Sequence, residues 1–360
     1  MWGWALGQTA GMKFSTGTLV VVGVIVLGLI TAVTGGIGVY MAQRGPLEQP
    51  VKVIVDQGMG VRAIASRLGQ ANVIAHPDAF VVMVKATGMA GTLKAGEYAF
   101  EPGISLRAVV NKLALGDTEN RSVTIPEGWT VKQAIDRLEA VEGLTGHAVR
   151  PEEGRIFPDT YAFRFGAERA KVLDTMTARM DKELANAWAA RDTTLPLKSP
   201  EELLILASIV QKEAANDDEM PMIAAVFYNR LSKGMRLQSD PTVMYGAELE
   251  GDRLKRKDLT EPHPFNTYLF AGLPPTPISN PGKSALMAVA RPARTEAIFF
   301  VADPSLTMHV FSVTYDEHRR NVARYWKDVK KTLQPKSVAN VIEGALVTPT
   351  NVVSGTAKEN

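Results

Sequence analysis

The first long feature of the chain is a run without charge. Residues 14–43 contain no Asp, Glu, Lys or Arg, and 18–41 are mostly Val, Ile, Leu and Gly. A bilayer core of about 30 Å is spanned by about 20 such residues, so the run predicts a membrane helix. The apolar part of a cleaved signal peptide is shorter, about 7–15 residues, which favours an uncleaved anchor. Gly45-Pro46 and Gln49-Pro50 then read as a linker. Beyond them the pattern becomes globular and repeats. Val53-x-Val55-x-x-Gly58-x-x-Val61-x-x-Ile64-x-x-x-Leu68 is matched, 70 residues later, by Val123-x-Ile125-x-x-Gly128-x-x-Val131-x-x-Ala134-x-x-x-Leu138. A copy that is weaker in its first half lies between them, at Tyr98-x-Phe100-x-x-Gly103-x-x-Leu106-x-x-Val109-x-x-x-Leu113. Each copy alternates like a short strand, turns at a glycine and goes on with helical spacing.

Further helices are predicted over 74–88, with Pro77-Asp78 near the start, and over 170–191 through Val172, Met176, Met180, Leu184 and Trp188. Ser199-Pro200-Glu201-Glu202 reads as another helix start: Ser199 as N-cap, Pro200 at the first helical position, Glu202 placed for a capping box. In the helix that follows, Leu203, Leu206, Val210 and Glu213 fall on one stripe, so an acid stands where an aliphatic is expected. Burial there would disfavour the charged form, as suits a general acid working near neutral pH. Spacing alone leaves a second reading open, in which Glu213 ends its helix at Asn216-Asp217-Asp218 and faces water. Another helix is expected from about Met220 to Leu231. After Pro335 the residues become small and polar, which predicts a disordered tail over 336–360.

Composition narrows the chemistry. The 360 residues can bury a core and hold two or more domains. Lys+Arg number 40 against 38 Asp+Glu, so no charge excess argues for nucleic acid. The chain has no cysteine, which removes disulfides and thiolate metal sites. Its five histidines, at 76, 147, 263, 309 and 318, include no helical pair at zinc-binding spacing. Gly282-Lys283-Ser284 imitates the end of a phosphate loop, but Pro277 stands where that loop needs glycine, and no G-x-S-x-G elbow occurs.

Four stretches in one order carry a resemblance. They are IVQKEAANDDEMPMIAAVFYNR (209–230), GMRLQSDPTVMYG (234–246), FNTYLFAGLPPTPISNPG (265–282) and HVFS (309–312), preceded by RIFPDTY (155–161). Over roughly residues 50–330 the chain resembles the YceG-like family of endolytic murein transglycosylases. The resemblance implies an α+β fold: a transmembrane helix over 17–41 after a cytoplasmic terminus (1–16), a linker (42–50), a LysM-like α/β module (51–120) and a YceG-type α+β catalytic domain (121–335). Lys13 before the span and Arg44 and Lys52 after it give only a weak positive-inside signal, so the orientation, body outside, also rests on the family. The repeated units are readable either as sugar-binding or as plain packing units, and Phe157 and Tyr161 either as groove lining or as core.

The resemblance further implies cleavage between N-acetylmuramic acid and N-acetylglucosamine of nascent glycan strands, giving 1,6-anhydro ends, without cofactor or metal. One carboxylate protonates the glycosidic oxygen and then removes the proton from the C6 hydroxyl that attacks C1, so the second carboxylate of ordinary glycosidases is not obligatory. That carboxylate maps onto Glu213, while position 211, often acidic in relatives, is Gln211. Glu219 matches another family acid and would either orient the site or cap the helix after it. Asn229, Arg230, Gln238, Asp240 and Thr242 supply polar groups suited to sugar hydroxyls and acetamides. Asn266, Thr267, Tyr268 and Asn280 form the expected opposite wall. Partners are glycan strands, the membrane and peptidoglycan synthases held near by the tether, with no nucleic acid. Two rivals use the same residues: a non-enzymatic peptidoglycan-binding scaffold, and a muramidase in which Asp240 is a second carboxylate. In relatives a glycine usually precedes His309; here Met308 stands there, which puts close backbone approach at that point in doubt.

Overall fold

The computed structural model describes residues 16–249, 253–303 and 308–332. Residues 1–15 of the expected cytoplasmic terminus and the expected tail, 336–360, lie outside the described residues. The chain divides into two compact units, one holding the described residues up to Asn120 with Arg164–Gly166, the other Arg121–Phe163 and the described residues from Ala167 on.

The first unit opens with α1 (Thr16–Ala42), a backbone helix of 27 residues without a charged residue. Among the described residues no helix is long and apolar enough to cross a membrane. Side chains of α1 at 16–20, 22, 30, 33, 34 and 37 are not among the described ones. Then come β1 (Val51–Val55), α2 (Val61–Gln70), α3 (Pro77–Ala86), β2 (Gly96–Phe100) and α4 (Leu106–Leu115). β1 and β2 pair antiparallel from Val51 opposite Phe100 to Val55 opposite Gly96. Their inward residues, Val53, Val55, Tyr98 and Phe100, bury against Ile64, Leu68, Phe80, Val109 and Leu113. Apolar positions two apart on strands and three or four apart on helices thus meet in one core.

The second unit begins with β3 (Asn120–Thr124) and α5 (Val131–Glu139), followed by the short β4 (Leu144–Thr145), β5 (Thr160–Arg164), the short β6 (Ala167–Glu168) and α6 (Arg169–Ala190). β3 pairs with β5 and β4 with β6. All three predicted copies are strand, glycine turn and helix. Gly58, Gly103 and Gly128 each sit at positive φ (81°, 72° and 74°), where a side chain would be strained. The copies at β1 and β2 share a sheet, whereas β3 takes its partner from β5.

The RIFPDTY stretch is not a strand over its length. Pro158 has no N–H to give a ladder, and the backbone turns extended only at Thr160, whose N–H binds Asp159 Oδ1 at 2.7 Å. Phe157 and Tyr161 are buried, and the Tyr161 hydroxyl donates to Phe157 O at 2.7 Å, so they belong to the core.

The remaining elements are α7 (Pro200–Glu213), α8 (Met220–Ser232), α9 (Asp240–Gly246), α10 (Lys283–Ala290), β7 (Phe299–Asp303), β8 (Met308–Ser312) and α11 (Tyr315–Thr332). α7 starts where predicted, with Ser199 Oγ accepting from Glu202 N at 3.2 Å. The Glu202 carboxylate reaches one residue further back than a capping box requires, to Lys198 N at 2.6 Å. Every residue from Leu203 to Val210 is buried, so α7 is a central helix and has no solvent face there. Within it Ser208 is satisfied by donating to Ile205 O at 2.7 Å and accepting from Ile278 N at 3.0 Å. β7 and β8 pair antiparallel, Phe299 opposite Ser312 and Asp303 opposite Met308.

Candidate active site around Glu213

Glu213 is the last residue of α7 and is only 5% exposed, which discards the water-facing reading. Its Oε1 accepts a hydrogen bond of 2.6 Å from the Ser239 hydroxyl. Ser239 is held in turn by two threonines. Its N–H donates to Thr267 Oγ1 at 3.0 Å, its carbonyl accepts from Thr242 Oγ1 at 2.7 Å, and the two threonine hydroxyls lie 2.8 Å apart. Gln238 N donates to Thr267 O at 3.1 Å, and Gln238 itself takes φ 51°, an uncommon left-handed conformation for a non-glycine residue.

Beside this hydroxyl cluster, the Tyr268 phenol donates to Asp240 Oδ1 at 2.5 Å. Burial pushes the Asp240 carboxyl up from its ordinary value, and the bond from Tyr268 opposes that. Tyr268 is itself pushed far up, first by burial and then by the nearby Asp240. The Arg230 guanidinium is 4% exposed; it donates to Ile298 O and Leu237 O, both at 2.6 Å. Burial draws Arg230 down, while the negative charge of Glu213 acts the other way. An acid, a buried cation and a second carboxyl tied to a phenol are therefore electrostatically linked at one place.

Several expected sugar ligands are placed otherwise. Asn229 Nδ2 donates to Thr295 O and Ala297 O, each at 2.9 Å. Asn266 is fully buried, donates to Glu261 O at 2.8 Å and accepts from Tyr268 N at 3.0 Å. Asn280 is fully buried too, accepting from Ile156 N at 2.9 Å and donating to Trp129 O at 2.8 Å. An amide whose polar atoms are spent on backbone groups shapes a loop and has little left to offer a hydroxyl. Thr242 and Thr267 are likewise committed to Ser239. Of the expected sugar ligands there remain Gln238 and Asp240, which flank Ser239 in sequence, and Tyr268, which is bonded to Asp240.

Glu219 is 5% exposed and makes no side-chain cap for α8. Its carboxylate takes the backbone N–H of His309 and lies 3.0 Å from His309 Nδ1. It thus orients the start of β8, and the close approach at His309 is made with Met308 in the preceding position. Gln211 Oε1 accepts from Gly282 N at 2.8 Å, and a Cβ on Gly282 would collide with the Glu127 carboxylate.

Sequence reasoning did not single out Ser239 as the partner of Glu213, nor Glu153. Burial pushes the Glu153 carboxyl up, although it accepts from Val131 N at 2.7 Å and from the Tyr245 hydroxyl at 3.2 Å. No local spacing signals either pair. Among the described residues no group of three or more His, Asp or Glu side chains is arranged to hold a metal ion.

Fold and site together define an α+β protein with a buried glutamate, Glu213, held by a serine hydroxyl at the end of a central helix. The chain belongs to the YceG-like family, whose model matches residues 53–324. Of its relatives, the endolytic murein transglycosylase of Bacillus subtilis (strain 168) is 33% identical over 310 residues, covering 76% of this chain and 84% of that protein. The endolytic murein transglycosylase of Streptococcus pneumoniae serotype 2 is 27% identical over 324 residues, covering 76% of this chain and 58% of that protein. A crystallised yceG-like protein from Listeria monocytogenes, 30% identical, covers 76% of this chain and has 99% of its own length covered, with a TM-score of 0.49.

Proposed function

We propose that the protein is an endolytic murein transglycosylase that cuts nascent peptidoglycan strands between N-acetylmuramic acid and N-acetylglucosamine. The observation that carries this reading is Glu213, buried at the end of α7 with a hydroxyl 2.6 Å from Oε1. A carboxyl group in such a place can hold a proton and give it to the glycosidic oxygen as the C1–O bond breaks. The resulting carboxylate then takes the proton of the C6 hydroxyl as that oxygen bonds to C1. The proton balance closes on one residue, and the product is a 1,6-anhydro end. Mass spectrometry of purified sacculi digested by the protein tests this: anhydro ends are expected, while mainly reducing muramic ends would point to a muramidase and binding without any new ends to a scaffold.

Asp240 and Tyr268 orient the sugar in this reading. Asp240→Asn lowers the cleavage rate and leaves the product anhydro, because the variant loses a charge and no acid–base group. The stability effect has a definite sign. A carboxyl whose folded-state value is raised stabilises the fold below its unfolded value and loses that stabilisation as pH rises through the folded one. Thermal melts of Asp240→Asn and the natural protein at acid and neutral pH are therefore expected to diverge in favour of the variant as pH rises.

The body lies outside the cytoplasmic membrane, tethered by residues 17–41 and close to the synthases that make its substrate. Support comes from the sequence, where the 30 residues 14–43 carry no charge against the about 20 apolar residues that span a bilayer core. Residues 51–120 serve as a LysM-like module and 121–335 as the catalytic domain. Removal of residues 1–43 is expected to release a folded, soluble body; sedimentation of that truncated protein with membranes after a high-salt wash would overturn the single anchor.

A further inference from the structure

Ser239 stands at the N-cap of α9, where a serine ordinarily turns its hydroxyl onto the first free amides of its own helix. It makes no such cap. The hydroxyl points instead across 26 residues of sequence to Glu213 Oε1 at 2.6 Å, and Ser239 is only 1% exposed. The backbone is shaped for this. Gln238 just before it is left-handed, and Thr267 and Thr242 clamp the Ser239 N–H and carbonyl on either side.

Resting on the transglycosylase reading, we propose that Ser239 is a positioning residue that decides how Glu213 carries and releases its proton. A hydroxyl oxygen of a carboxylic acid is a poor acceptor, so the oxygen facing Ser239 is held as the carbonyl oxygen and the transferable proton is placed on Oε2. When that proton passes to the glycosidic oxygen, charge develops on the carboxylate and the Ser239 bond becomes charge-assisted, shorter and stronger. A donor fixed where charge develops stabilises the transition state more than the ground state. The same bond makes the carboxylate a weaker base for the C6 hydroxyl, so Ser239 favours the protonation step over the closing one.

The test uses the full-length protein in detergent on purified sacculi, counting anhydro and reducing ends together across pH. Hydrogen bonds to charged groups are worth enough that Ser239→Ala should slow cleavage by roughly ten- to a hundredfold. Glu213 would also hold its proton to higher pH, so the alkaline limb of the pH–rate profile moves upward. Ser239→Thr, which keeps the hydroxyl, should retain most of the rate and the natural limb. Wild-type rate and limb in Ser239→Ala would overturn the inference, as would Ser239→Thr impaired as deeply as Ser239→Ala with the limb unmoved. If Ser239→Ala fails to melt cooperatively, Ser239→Cys with its weaker donor takes its place, and an unshifted limb there counts equally against it. The kind of end released tests the transglycosylase reading separately, since rate and limb are read whichever end is formed.

Discussion

Glu213→Gln abolishes release of anhydro ends while leaving a folded protein that still binds sacculi. The amide matches the carboxyl group in size, and its carbonyl oxygen can still accept from Ser239, so the packing at the end of α7 survives. It can neither supply the acidic proton nor accept the hydroxyl proton, and both steps are lost together. General acid–base assistance contributes typically about 10²–10⁴-fold, and a loss of at least that order is expected. The variant should be no less stable, because it removes the need to keep an ionisable group in a 5% exposed site. Anhydro-muropeptide release, sacculus pull-down and thermal melting on one preparation separate the possibilities. Undiminished release of anhydro ends would remove Glu213 from the mechanism; a variant that no longer folds would make it a structural residue.

The second large effect is on stability, at Asn280→Ala. Asn280 joins the Pro274-Pro275-Thr276-Pro277 loop region to two distant segments, through Ile156 N, 124 residues away, and Trp129 O, 151 residues away. Its own backbone adds bonds to Gly128 N and Trp129 O. Alanine leaves Ile156 N without this bond in a fully buried place, where an unsatisfied donor costs about 1–3 kcal/mol, while Trp129 O keeps the bond from Asn280 N. A loss of about 1–3 kcal/mol in chemical denaturation is expected, above the effect of an ordinary surface change. Asn280→Asp discriminates the cause: its carboxylate can accept from Ile156 N but sets a second acceptor against Trp129 O, so it should not restore stability. If Asn280→Ala melts like the natural protein yet fails to bind sacculi, the amide is a sugar ligand after all and the loop-holding role is wrong.

What could be read from the sequence was local in its physics. The start of α7 follows from Ser199 and Pro200, whose effects act within a few residues. The three strand–turn–helix copies follow from alternating and helical spacing around Gly58, Gly103 and Gly128, because only glycine takes the left-handed turn without strain. The stripe Leu203, Leu206, Val210 offered Glu213 a buried face but left a water-facing end open; α7 proved to be buried from Leu203 to Val210, since helices α6, α8 and α10 pack on it from several sides. Partners were beyond that reach. Glu213 with Ser239, Glu219 with His309, Arg230 with Ile298 and Asn280 with Ile156 are joined by hydrogen bonds across 26 to 124 residues. Residue type announces that a buried polar group needs a partner, but only the packing of the whole chain decides which group stands 3 Å away, and so which asparagines hold loops and which serine holds the acid.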